Sequence, residues 1–396
     1  MRRFVLGLCL WLIATAACAV SLAPVVAPRI GVMTMEPGEE FWERFGHNAI
    51  VVVDPATRAA TSYNYGYFDM SEPDFVGNFV RGRMRYQLVA IPFEEDVENY
   101  RLVGRGVTLQ WLDLDPAQAE SIAAALALNA RPENARYTYD YFLSNCSTRV
   151  RDRLDEGLGG MLKRHLSGRS EGNTYRSEAV RLAWPAPWMA FGFHVGLSGA
   201  ADAPLSRWQE AFIPMRLRDA LRELRRADGR PLVAQETVVV PHRLSLPPSE
   251  LPRWRLPALF IGMVLAVSAM WLGRRRPRVL AAIALPFWTL CALLGGTMLF
   301  LWLGSQHRFA WGNENLLLLS PLCLLPLRGG WSIARGRRPG KHFATLLWLV
   351  AGSAAIAGFL KFLPFRPQEN VEWVLLLLPL HLALARSFDP KPQPAP

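Results

Sequence analysis

Cys146 is the residue whose type and surroundings best suit covalent chemistry in this chain of 396 residues. The other cysteines lie in apolar stretches nearer the two ends of the chain, at Cys9, Cys18, Cys291 and Cys323. Cys146 therefore has no disulfide partner in the polar middle of the chain. It follows Asn145 and precedes a segment with helical spacing, and a helix N-terminus lowers the pKa of a thiol. The pattern predicts a nucleophilic thiolate; a buried, inert cysteine is the alternative.

A cysteine nucleophile needs a base, and histidine is the usual one. His47 is the best placed, because it directly precedes the apolar strand pattern of Ala49–Val53. The other histidines of the middle region lie in loop-like sequence, at His165, His194 and His242. A strand holds a side chain firmly, so we expect the Cys146 sulfur and the His47 ring to lie within about 4 Å of each other.

A catalytic imidazole also needs a polar group that holds its tautomer. Asn48, Asn64 and Asp69 are candidates for this orienting role, and the sequence does not choose among them. Asn145 and the backbone N–H groups that follow it are candidates for the oxyanion donors of an acyl transfer.

The elements that must position these residues form one predicted α+β domain over residues 21–240. Alternating apolar residues predict strands at 29–34, 49–53, 61–69, 86–92, 106–112 and 232–240. Asp115 and Pro116 are typical of a helix start, and that helix extends to Asn129. A second helix begins at Ser144 or Asn145, and a third covers 212–227. Several prolines in 241–255 indicate a linker.

The two ends of the chain indicate export and membrane attachment. Residues 1–20 have a basic start, an apolar run and small residues, as a signal peptide or anchor does. Apolar segments at 257–273, 279–304, 316–327, 343–363 and 373–385 predict five spans over 256–386, with a cytoplasmic tail at 387–396. Basic loops at 274–278 and 335–341 stay cytoplasmic, which places the 21–240 domain outside.

The excess charge of +11 is explained by these loops, so we predict no nucleic-acid partner. No HExxH, CxxC or phosphate-binding loop is present, and no metal or other cofactor is predicted. The loop at 305–315 faces the same side as the exported domain. Its polar residues His307, Asn313 and Asn315 are candidates for a substrate-binding loop, and an interfacial loop anchored by Trp311 is the alternative.

Three stretches resemble Lnb-type lipoprotein N-acyltransferases: Trp42-Glu43-Arg44-Phe45-Gly46-His47-Asn48, Tyr63-Asn64-Tyr65-Gly66 and Asn145-Cys146-Ser147-Thr148-Arg149-Val150-Arg151-Asp152. More distantly, the order of the histidine strand and the cysteine helix resembles lecithin:retinol acyltransferase and the circularly permuted papain-like enzymes of the NlpC class. The resemblance implies a permuted papain-like α+β domain in the periplasm, followed by an all-α five-helix domain in the bacterial inner membrane.

By this resemblance, Cys146 is the nucleophile and His47 is the base. An acyl chain would pass from a phospholipid through a Cys146 thioester to the N-terminal amine of a diacylated lipoprotein. The same pair also suits a cysteine hydrolase at the outer face of the membrane, either a peptidoglycan amidase or peptidase or a phospholipase. A non-enzymatic membrane scaffold is a further alternative.

Overall fold

A seven-stranded antiparallel sheet and a set of long apolar helices make up this computed structural model, which describes residues 26–366 and 368–389. The predicted signal at 1–20 and most of the predicted tail lie outside the described residues. The last strand of the sheet ends at Val240, and the first long apolar helix begins at Arg255. The protein is thus an α+β region followed by a helical region.

The sheet has the strand order β6-β4-β3-β2-β1-β5-β7, and every neighbouring pair is antiparallel. Its strands are β1 (Arg29–Met35), β2 (His47–Val53), β3 (Ala60–Tyr67), β4 (Arg85–Pro92), β5 (Val107–Leu112), β6 (Arg136–Thr138) and β7 (Val233–Val240). Both faces of the central strands are buried: Ile30 and Ile50 face one apolar cluster, whereas Met33 and Ala49 face another. This two-sided burial explains the continuous apolar sequence of β2.

The helices of the α+β region are α1 (Phe75–Arg81), α2 (Phe93–Leu102), α3 (Pro116–Asn129), α4 (Pro132–Ala135), α5 (Cys146–Gly157), α6 (Met161–Leu166), α7 (Tyr175–Ala183), α8 (Pro187–Gly196), α9 (Arg207–Glu210) and α10 (Pro214–Glu223). The predicted starts of α3 and α5 are confirmed. The helix predicted over 212–227 is shorter at both ends, because Pro214 begins it and the chain turns extended at Leu224.

The C-terminal region contains α11 (Arg255–Arg275), α12 (Pro277–Gly304), α13 (Leu327–Ala334), α14 (Phe343–Leu360) and α15 (Val371–Ser387). Among the described residues, α11, α12 and α14 are long and apolar enough to cross a membrane. The third predicted span is two short 3-10 turns, Glu314–Leu317 and Pro321–Leu324, and then α13 after a bend of 55°. Counting this bent pair as one span gives four, and the five-span topology stays a prediction.

Polar contacts join the two regions. Asn313 donates from Nδ2 to the backbone oxygen of Val195 at 2.7 Å, and Asn315 donates to the same oxygen at 2.9 Å. The indole of Trp373 donates to Nδ1 of His194 at 2.9 Å. All four side chains are buried. These hydrogen bonds seat α8 on the loops of the helical region and fix the α+β region against the apolar helices.

Candidate active site

Cys146 is the first residue of α5, and its position is set by the residue before it. The Asn145 side chain caps the helix by accepting a hydrogen bond from the Thr148 backbone N–H at 2.9 Å. The same amide donates to the backbone oxygens of Tyr141 at 2.8 Å and Phe212 at 2.9 Å. Because Asn145 is buried and fully occupied by these bonds, it positions the cysteine and is not an oxyanion donor, which corrects that alternative.

His47, at the start of β2, is held by a buried hydrogen-bonded chain. Its Nε2 lies 3.0 Å from Oδ1 of Asn64, and Nδ2 of Asn64 donates to Asp96 at 2.9 Å. Asp96 accepts this hydrogen bond, so it fixes the orientation of the Asn64 amide. The amide oxygen then faces the ring, which places the imidazole proton on Nε2 and leaves Nδ1 as the basic nitrogen.

The sulfur of Cys146 lies where β2 and β3 separate. The last residue pair between these strands is Ala49 with Asn64. Just beyond it is Asn48, whose backbone N–H lowers the pKa of the cysteine thiol, as does that of Ser147. Gly66, at a bulge in β3, has a φ of 103°, and a Cβ built there would lie 3.6 Å from Cβ of Cys146. Glycine therefore suits the backbone at this position, and the cysteine packs against it at ordinary contact distance.

Burial controls the charge of the resting pair. Burial raises the pKa of the Cys146 thiol, and the N–H groups of Asn48 and Ser147 only partly oppose that rise. Burial also lowers the pKa of His47 to about 4, with a contribution from Arg105, against the effect of the hydrogen bond that the ring makes to Asn64. The predicted low thiol pKa is therefore wrong, because desolvation outweighs the helix N-terminus. The pair rests as a neutral thiol and a neutral imidazole.

Both residues line one large cavity of about 1010 Å³. Most of the lining is aromatic or aliphatic, including Trp42, Phe193 and Tyr139 from the α+β region. The cavity extends to Phe300 and Leu301 near the end of α12, so it reaches from the cysteine to an apolar helix. Its size is at the upper end of the range for small-molecule sites, and its walls suit a long apolar ligand.

The structure separates the other predicted site residues into three groups. Asn64 holds the His47 ring, which is the orienting role for which Asn64 was one of three candidates. Asn48 contributes its backbone N–H only, because its side chain donates to Oγ1 of Thr34 at 2.8 Å. Asp69 is exposed and accepts a hydrogen bond from the Ser71 backbone N–H at 2.8 Å, so it does not orient the imidazole. The Asp69 alternative is therefore wrong.

The three candidate substrate-binding residues of the 305–315 loop also lie in different places. His307 lines the cavity, hydrogen-bonded to the hydroxyl of Tyr141 and, at 3.0 Å, to the backbone oxygen of Phe79. Asn313 and Asn315 are buried at the contact with α8 and do not line the cavity, so the structure does not place them at a substrate. Their side chains instead form hydrogen bonds at the junction between the two regions.

Sequence analysis missed Asp96 and Arg105. Asp96 lies in the first turn of α2 beside Glu94 and Glu95, where acidic residues are common for helix-dipole reasons, so nothing distinguished it. Arg105 lies in a turn before β5, and tertiary structure alone brings it to the cavity. Among the described residues, no cluster of three His, Cys, Asp or Glu side chains is arranged to hold a metal ion.

The fold and the site define a class: a cysteine–histidine α+β domain attached to apolar membrane helices. Two family models match the chain, the Lnb N-terminal periplasmic domain over residues 26–177 and the Lnb transmembrane domain over residues 255–389. The chain belongs to the Lnb family, a family of lipoprotein-processing membrane enzymes, and its N-terminal domain is periplasmic. No curated protein and no solved structure gave a match.

Proposed function

We propose that this protein is a lipoprotein N-acyltransferase of the bacterial inner membrane. The observation that carries the proposal is that Cys146 and His47 line one apolar cavity that reaches α12, with His47 held by hydrogen bonds through Asn64 to Asp96. A thiol enzyme in this position has access to phospholipid esters of the adjoining leaflet, and the cavity suits their acyl chains.

In the first step, Nδ1 of His47 accepts the thiol proton as the Cys146 sulfur attacks the ester carbonyl of a phospholipid. A carbon–sulfur bond forms and the ester carbon–oxygen bond breaks. His47 then returns the proton to the leaving alkoxide, which departs as lysophospholipid. The resting pair is neutral, so the thiolate forms only as the attack begins.

In the second step, the N-terminal amine of a diacylated lipoprotein attacks the thioester. A carbon–nitrogen bond forms, the carbon–sulfur bond breaks, and His47 transfers the amine proton to the sulfur. The products are an amide and the free thiol, so the cycle needs no cofactor. The backbone N–H groups of Asn48 and Cys146 lie beside the sulfur and are our candidates for the oxyanion donors of both steps.

The apolar lining favours transfer over hydrolysis. A thioester survives long enough to meet an amine only where water is scarce. Aromatic side chains line the cavity that contains Cys146, and both the donor and the acceptor are concentrated at the membrane. A wall amidase acts on a polar polymer outside the membrane and has no use for a cavity that leads to α12.

Purified full-length protein, phospholipid and a diacylated lipopeptide test the proposal by mass spectrometry. We expect the lipopeptide to gain one acyl chain while lysophospholipid accumulates, and Cys146→Ala to do neither. If fatty acid is released and the lipopeptide mass does not change, the protein is a phospholipase. If neither lipid changes, the amidase alternative takes precedence.

A further inference from the structure

Arg105 is the most deeply buried cation of the cavity wall, with 4% of its surface exposed. Two of its nitrogens are engaged: Nε donates to the backbone oxygen of Glu36 at 2.9 Å, and Nη1 pairs with Glu43 at 3.2 Å. The guanidinium carbon lies 4.8 Å from the centre of the Tyr100 ring. These contacts fix the guanidinium plane.

Nη2 of Arg105 is buried and has no hydrogen-bond partner among the described residues. An unsatisfied buried donor on a charged group is unfavourable, and such groups are normally paired. The side chain that carries it lines the same cavity as Cys146, and its charge acts on both members of the pair. Arg105 therefore lines the cavity that contains Cys146 and carries a buried donor without an acceptor among the described residues.

We propose that Arg105 binds the phosphodiester of the acyl donor through Nη2. This inference rests on the proposed function and extends it by naming the donor group that is recognised. In a glycerophospholipid the phosphate is only a few covalent bonds from the ester carbonyls, so a carbonyl at Cys146 brings the phosphate near the cavity wall. Arginine suits this role because its planar fork matches phosphate oxygens. The headgroup then helps to place the ester at the sulfur.

Arg308 provides the matched control, because it lines the same cavity but is exposed at the 305–315 loop. Its nearest carboxylate, Asp140, is 3.6 Å away, so Arg308 already has an ionic neighbour and free access to water. Removing the charge at Arg308 therefore shows whether an effect seen at Arg105 comes from a fixed phosphate contact or from positive charge in the cavity in general.

The test measures acyl-enzyme formation on Cys146 from a phospholipid and from a diacylglycerol with the same acyl chains. Intact full-length protein in detergent is analysed by mass spectrometry. We expect the wild type and Arg308→Gln to prefer phospholipid, and Arg105→Gln to lose roughly tenfold or more of that preference. Arg105→Lys keeps the positive charge but lacks the planar fork, so it should lose part of the preference for phospholipid. If Arg105→Gln does not fold, the result for Arg105→Lys tests the inference.

Adducts whose phospholipid preference survives in both Arg105 variants would overturn the inference and leave the proposed function standing. A preference lost in Arg308→Gln instead would do the same. A wild type that reacts equally with both lipids also refutes headgroup recognition. In that case, inorganic phosphate that slows both donors in the wild type but not in Arg105→Gln would assign the site to free phosphate. Failure of the wild type to form an adduct with any donor refutes the proposed function, and the inference falls with it.

Discussion

Replacing Asn64 with alanine removes the acceptor of the His47 Nε2–H bond, which is 3.0 Å long. Asn64 is 7% exposed, so water does not readily replace the amide. Leaving a buried donor without a hydrogen-bond partner costs about 1–3 kcal/mol of free energy. If that cost is expressed in the transition state for proton removal, the rate falls by roughly 5- to 150-fold. The imidazole also loses the hydrogen bond that holds its ring in place.

The assay is the rate of Cys146 alkylation by iodoacetamide near neutral pH, followed by mass spectrometry of the peptide that contains Cys146. It needs no lipid substrate, so it tests the site independently of the proposed reaction. Asn99→Ala is the matched control, since Asn99 is exposed and lines the same cavity. If Asn64→Ala reacts within about twofold of the wild type while remaining folded, Asn64 does not hold His47 in its reactive state.

Four further predictions follow from the site and the helices. Because burial lowers the pKa of His47 to about 4, the acid limb of kcat/KM should lie near pH 4 and not near 6.5; a limb near 6.5 would show a solvated ring. The unfolded chain then binds more protons than the folded one between these values, so thermal stability should fall as the pH drops from 6.5 to 4, and less so in His47→Gln. Gly66→Val should strain a backbone at φ 103° and displace Cys146, which would lower alkylation and melting temperature together, whereas normal values of both would show that the bulge adapts. Reporter fusions after Arg278 and Lys341 should lie in the cytoplasm and fusions near Gly312 should lie outside; an outward signal at Lys341 would remove the third span.

The sequence predicted the elements that carry Cys146 and His47 because those signals are local. Alternating apolar residues identified β2, and the capping pattern at Asn145 placed Cys146 at a helix start. Asp96 and Arg105 reach the site only through tertiary packing, and no local pattern marks either one. The thiol pKa was predicted in the wrong direction because desolvation depends on the walls of the cavity, which the sequence does not reveal.

The third apolar segment shows a similar limit in the helical region. Its composition suits a membrane span, but Pro321 and Pro326 interrupt the helix and leave two short turns and a bent helix. The polar residues just before it were interpreted as a substrate loop. Two of them, Asn313 and Asn315, instead bond the backbone of α8, because a buried junction between domains also needs satisfied polar groups.

The central claim is a covalent acyl intermediate on Cys146, and the mass of the protein after incubation with phospholipid alone tests it most directly. Without an acceptor amine, we expect one acyl chain to be added to the peptide that contains Cys146, with release of lysophospholipid. The adduct should be removed by hydroxylamine, as a thioester is, and should be absent in Cys146→Ala. Lysophospholipid production that continues in Cys146→Ala, with no adduct on the wild type, would contradict the account.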